Sequence, residues 1–170
     1  MKPVSLDVSI VDRRGARLSF NLKPGMSVAL IGSDGTGKTT AAAMLAEHLS
    51  KAGIACERHH WYRWFQAALF VPVAVLLNRR RKAAVKIFDR TIFDNLATWR
   101  LSFAGLAAAG IDRCYPRFDV VVYFVATPEA IVRRRPEIEI DDARSALKLY
   151  GEIGSALRLV GLDEITLTSR

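Results

Sequence analysis

Gly32-Ser33-Asp34-Gly35-Thr36-Gly37-Lys38-Thr39 forms a complete G-x-x-x-x-G-K-[ST] phosphate-binding loop. Each part of the pattern has a physical task. The glycines let the backbone curl so that successive N–H groups point inward at phosphate oxygens. Lys38 reaches the β/γ-phosphates, and the Thr39 hydroxyl is a Mg²⁺ ligand. The helix that begins here adds the positive end of its dipole. The nucleotide-binding set read from the motif is Gly32, Ser33, Asp34, Gly35, Thr36, Gly37, Lys38, Thr39 and Thr40, with ATP and Mg²⁺ as the expected cofactors.

Working outward, the loop has the context it requires. Met26 to Ile31 is a short apolar run of strand type, and Thr40 to Lys51 reads as a helix with Ala41, Met44, Leu45, His48 and Leu49 near one face. Gly53 stops that helix. A glycine-rich turn that binds nothing is the competing reading, and the strand–loop–helix order argues against it.

Strand and helix patterns then alternate. Residues 4–11 and 16–22 read as strands joined by a turn at Asp12-Arg13-Arg14-Gly15, a hairpin added to the edge of the sheet. Ile54 to His60, Val85 to Phe88, Asp119 to Val125 and Glu164 to Thr168 read as further strands, and Phe93 to Ala109 and Asp141 to Leu159 as helices. Thr127-Pro128-Glu129 supplies an N-cap, a proline at the first helical position and an acid in the first turn. The expectation is an α/β fold of the P-loop NTPase type: a three-layer sandwich with a mostly parallel sheet and helices on both faces. Residues 1–25 form the hairpin extension and 26–170 the main domain, with phosphates bound at the carboxyl ends of the strands.

Composition narrows the class. A chain of 170 residues, 51% of them hydrophobic, can bury a real core as one domain and is not of disordered composition. Cys56 and Cys114 lack metal spacing and fit a reducing, cytoplasmic setting. Residues Met1 to Asp7 contain no apolar h-region, so no signal peptide is expected. The net charge of +8 gathers at Arg13/Arg14/Arg17, at Arg79-Arg80-Arg81-Lys82 and at Arg133-Arg134-Arg135. These clusters fit a nucleic-acid surface, a phosphate-handling pocket or a solvated face. No aromatics interleave them as a stacking platform requires, so nucleic acid is not the expected partner.

Trp61 to Leu77 stands apart: an aromatic start, then eleven apolar residues from Ala67, interrupted by Pro72 and followed by a basic run. Eleven is too few to cross a bilayer, which takes about 20. The segment reads either as a core-packed helix or as an interfacial anchor, and peripheral membrane contact through 64–82 follows from the second reading.

Two family resemblances are present. Leu18 to Gly25 followed by Val28-Ala29-Leu30-Ile31-Gly32 resembles the start of a transporter-type ATPase, where the strands before the loop pack on the adenine. Such ATPases carry a Gly-rich signature helix of L-S-G-G-Q type and a four-hydrophobe strand ending in Asp-Glu. Neither occurs here, the chain is short for that domain, and a partner chain would have to supply the signature.

A stronger resemblance is to the thymidylate kinase-like family, on three features: the loop in its G-x-D-G-x-G-K-T-T form, Asp89-Arg90-Thr91 at the end of a strand, and Asp119 to Glu129 leading into a lid. The resemblance implies phosphoryl transfer from Mg-ATP to a small anionic or hydroxyl acceptor. Lys38, Asp89, Arg90 and the lid residues Arg133, Arg134 and Arg135 are the implied catalytic set. Thr39 and Asp89 are the implied metal ligands, and a homodimer is the implied assembly. Asp89 also reads as a helix cap or an ion-pair partner. Arg63, Phe93, Asn95 and Arg100 are candidate acceptor contacts. The family's R-E-P run is replaced by His59-His60-Trp61-Tyr62-Arg63, so thymidine monophosphate is not the expected acceptor. The absence of an N-K-x-D motif favours ATP over GTP. The alternative function is a nucleotide-gated binding or assembly ATPase without a small acceptor.

Overall fold

The structure, a computed structural model, describes residues 6–11, 17–59, 84–91, 94, 118–156, 161–163 and 166–169. At its centre lies β3 (Ser27–Gly32), buried along its whole length. It pairs in parallel with β5 (Val85–Phe88) on one side and β6 (Val120–Val125) on the other. β4 (Cys56–His59) and β7 (Gly161–Asp163) extend the sheet, giving the order β4-β5-β3-β6-β7, all parallel. Valine, isoleucine and aromatic runs such as Val120 to Val125 suit strands buried on both faces.

The two faces separate by residue parity. Val28, Leu30, Val85, Ile87, Val122 and Phe124 point to the face covered by α1 (Lys38–Lys51), which contributes Ala41, Ala42, Leu45 and Leu49. Ala29, Ile31, Phe88 and Tyr123 are buried on the opposite face, so the sheet is the middle layer of the expected P-loop NTPase-type α/β sandwich. Two further helices follow β6: α2 (Pro128–Arg134) and α3 (Ile140–Ala156). The Thr127 side chain accepts from the Ala130 N–H and Pro128 opens the first turn, as the sequence predicts for α2.

A buried lysine interrupts the apolar core. Lys86 is 1% exposed on β5, in register with Glu57 on β4 and Ser27 on β3. Burial lowers its pKa, and the charge of Glu57 opposes that shift. Ser27 continues the polar row: its N–H and its hydroxyl donate to the Asp119 carboxylate at 2.7 and 2.8 Å. This row lies at the amino-terminal edge of the sheet, away from the phosphate loop.

The hairpin departs from expectation. β1 (Leu6–Val11) and β2 (Arg17–Leu22) pair antiparallel as predicted, yet they do not extend the main sheet. β1 takes β8 (Thr166–Ser169) on its other edge, making a separate three-stranded sheet β2-β1-β8. The single last strand expected at 164–168 is therefore two short strands in different sheets. Leu22, fully buried within the main core, ties the small sheet down. The helix expected over Phe93 to Ala109 and the segment 64–82 lie outside the described residues, as do His60 and Cys114.

Removing the Asp119 carboxylate orphans two donors of Ser27, which is 2% exposed. Asp119→Ala is expected to cost about 1–3 kcal/mol of stability, read from the urea midpoint at unchanged slope.

Candidate nucleotide-binding site

The loop leaves the carboxyl end of β3 and closes onto α1. Gly32 runs so close to β6 that a Cβ there would meet the Phe124 carbonyl oxygen at 2.5 Å. Gly35 has φ +82°, a left-handed conformation that L side chains rarely adopt. Thr36 pins the turn, its hydroxyl donating to the Ser33 carbonyl at 2.7 Å, and the Gly37 carbonyl accepts from the Ala41 N–H as α1 begins.

Lys38 is 4% exposed. Its ammonium donates to the Gly32 carbonyl and to the Ser33 carbonyl at 3.1 Å, and it forms ion pairs with the Asp94 carboxylate at 3.2 Å and with Asp34 at 3.7 Å. The Tyr150 ring lies 5.7 Å from it. Asp94 is held in turn by the Thr91 N–H at 2.8 Å and by the Tyr150 hydroxyl, also at 2.8 Å. Burial, and next the charge of Asp94, push the Tyr150 phenol far above its ordinary pKa, so it remains a donor.

Around this core the loop opens into a cavity of about 410 Å³ lined by Ser33 to Thr40 (Thr36 excepted) together with Arg90, Arg134 and Arg135. Arg90 donates to both carboxylate oxygens of Asp34 at 3.3 and 3.4 Å, and Arg134 to the Gly35 carbonyl at 3.1 Å. Arg135 pairs with Glu137 at 3.2 Å. The structure thus brings the loop, Lys38, Arg90, Arg134 and Arg135 together. Arg133 is exposed near the end of α2 and is not among the cavity's lining residues. Asp89, 1% exposed at the end of β5, lies outside the cavity lining and pairs with Arg58 at 3.4 Å, the ion-pair role that the sequence left open for it. Arg63, Phe93, Asn95 and Arg100 lie outside the described residues. His59 stacks on Phe88 at 4.9 Å, and burial raises the Cys56 thiol pKa.

Asp94 is the residue that the sequence reading missed. Its signal was the spacing Thr91-x-x-Asp94, in which a side chain three residues on reaches back to the Thr91 N–H.

Thr39 and Thr40 line the cavity at the first turn of α1. Hard hydroxyl oxygen in a site already rich in cationic side chains fits Mg²⁺ carried with phosphate, and suits an all-protein cation cage less well. Among the described residues no cluster of three His, Cys, Asp or Glu could hold a metal ion.

A family model for ABC transporters matches residues 16–110, more than half of the chain. Among curated proteins, the ATP-dependent lipid A-core flippase of Shewanella frigidimarina is 25% identical over 79% of this chain and 26% of its own length. The flippase of the same name from Aromatoleum aromaticum is 27% identical over 88% of this chain and 29% of its own. The chain therefore spans little more than a quarter of the length of these relatives. Among solved structures, the YorR protein of Bacillus subtilis, in complex with phosphorylated GDP, superposes with a TM-score of 0.60 at 23% identity, over 82% of this chain and 85% of that one. Deoxyadenosine kinase of M. mycoides gives 0.54 at 14% identity over 82% and 90%. At these identities the two structures show the fold alone.

The family match corrects the thymidylate kinase-like expectation, and with it phosphoryl transfer to a small acceptor. The reason lies in which residues carry information. A G-x-x-x-x-G-K-T loop does the same phosphate chemistry in either family, so its form does not separate them. The matched stretch takes in β2 and the approach Leu18 to Gly32, which resembles a transporter-type ATPase and of which the kinase reading left Leu18 to Gly25 unused.

A Cβ on Gly35 would sit 3.3 Å from both Arg135 Cγ and Ile131 Cγ2, at a φ costing a side chain about 1–2 kcal/mol. Gly35→Ala is expected to lower the urea midpoint and to weaken ATP binding measurably, because it pushes α2 and its arginines away from the loop.

Proposed function

We propose that this chain, which belongs to the ABC transporter family, is a nucleotide-binding module that hydrolyses Mg-ATP and delivers the resulting conformational work to a membrane-embedded partner. One observation carries the reading: four cationic side chains, Lys38, Arg90, Arg134 and Arg135, line a phosphate-loop cavity in which Asp34 is the one carboxylate among the described residues. That balance suits a polyphosphate arriving with its metal ion.

The loop N–H groups and the start of α1 take the phosphate oxygens. Lys38 neutralises charge at the β/γ-phosphates, and Thr39 is placed to hold the metal. Mg²⁺, held through Thr39, would supply positive charge that screens the phosphates. Arg134 and Arg135 offer guanidinium groups to the charge that develops as the terminal phosphoryl group leaves for water. Asp89 orients Arg58 at the end of β5. The flippase names of the relatives support a lipid-flipping assembly in which membrane-spanning parts and the L-S-G-G-Q-type signature belong to other segments or chains. Among the described residues no helix is long and apolar enough to cross a membrane. The basic run after the apolar segment at 64–77 fits contact with anionic lipid headgroups.

Phosphate release from Mg-ATP tests this directly. Turnover is expected without any acceptor, unchanged by a panel of nucleoside monophosphates and phosphosugars, and reduced about 100-fold or more in Lys38→Ala. Turnover that depends on one small acceptor contradicts the proposal.

A further inference from the structure

We propose that Asp94 competes with nucleotide phosphate for the Lys38 ammonium, and that Tyr150 sets the strength of this competition through its hydrogen bond to Asp94. The inference rests on the reading of the loop as an ATP site.

An ammonium has three donors. Two of those of Lys38 go to the Gly32 and Ser33 carbonyls, and the ammonium is ion-paired with the Asp94 carboxylate at 3.2 Å and, farther off, with Asp34 at 3.7 Å, so a phosphate oxygen reaches it in competition with these carboxylates. The two carbonyls belong to the loop backbone and are fixed by its turn. Asp94 is the exchangeable partner, because its carboxylate keeps other donors after the ammonium moves. Oδ2 retains the Thr91 N–H at 2.8 Å and the Thr91 hydroxyl at 3.3 Å, and Oδ1 retains the Tyr150 hydroxyl at 2.8 Å. A buried carboxylate stripped of all partners would resist the exchange strongly. With these donors in place Lys38 can swing to phosphate at modest cost. Asp94 and Tyr150 are thus positioning residues for the lysine, and neither lines the 410 Å³ phosphate cavity.

The arrangement predicts opposite signs for two substitutions. Asp94→Asn keeps the shape and removes the competing charge, so the Kd for Mg-ATP falls, by about tenfold if one buried ion pair with Lys38 is relieved. Tyr150→Phe takes a donor from Asp94 Oδ1, the carboxylate leans harder on Lys38, and the Kd rises several-fold. The double variant binds like Asp94→Asn, because Tyr150 acts through the carboxylate.

Calorimetric titration of the full chain with Mg-ATP, alongside melting curves of each variant, decides the matter. Weaker binding in a folded Asp94→Asn protein, shifts of the same sign in both single variants, or additive shifts in the double variant overturn the competition while leaving the ATP site intact. Should Asp94→Asn fail to fold, unchanged or tighter binding in Tyr150→Phe overturns it alone, and weaker binding in a Tyr150→Phe protein with wild-type melting supports it. Wild-type protein that binds no Mg-ATP overturns this inference together with the site reading.

Discussion

The ammonium of Lys38 is the charge around which the site is organised. Burying such a group without partners costs several kcal/mol. Here that cost is met by oxygens drawn from three places: the loop backbone at Gly32 and Ser33, the start of the helical segment at Asp94, and α1's approach at Asp34. The contact therefore ties the carboxyl end of β3 to the segment following β5 and, through Tyr150, to α3. The parallel register of β3 with β5 and β6 brings these strand ends to one edge of the sheet. Sheet, loop and lysine depend on one another.

The second constraint is electrostatic. Arg90 leans on Asp34 and Arg134 on the Gly35 carbonyl, so two of the cations that face the cavity are anchored by the loop itself. Arriving phosphate charge meets guanidinium groups whose orientation is already restricted, which lowers the entropy lost on binding. The polar row of Lys86, Ser27 and Asp119 does a separate job at the opposite edge, fixing where β3 and β6 start.

What the sequence made legible was local. The loop, the strand before it and the helix after it are read from residues within one 26-residue stretch, Met26 to Lys51, and the Thr127-Pro128-Glu129 cap sits in contiguous sequence too. The partners of these residues were not legible, because Asp94, Arg58 and Tyr150 meet Lys38 and Asp89 only after the sheet forms. β8 was misplaced for the same reason: a four-residue strand has no pattern that says which sheet edge it will join. The family was misjudged because the loop form is shared between families and Asp89-Arg90 and an arginine run are short, common features, while the approach from Leu18 to Gly32 carried the transporter-type resemblance that the family match bears out. Of the arginine run, Arg134 and Arg135 line the loop cavity and Arg133 does not, a difference that contiguous sequence could not show.

The function of the site requires that the loop hold ATP through Lys38. Ligand that binds only the folded chain must raise its melting temperature in proportion to the logarithm of ligand concentration above Kd. Differential scanning calorimetry across a series of Mg-ATP concentrations is the most direct measurement. A steady rise in Tm is expected for the wild-type chain and none for Lys38→Ala. A wild-type Tm that does not move with Mg-ATP would contradict ATP binding by the loop.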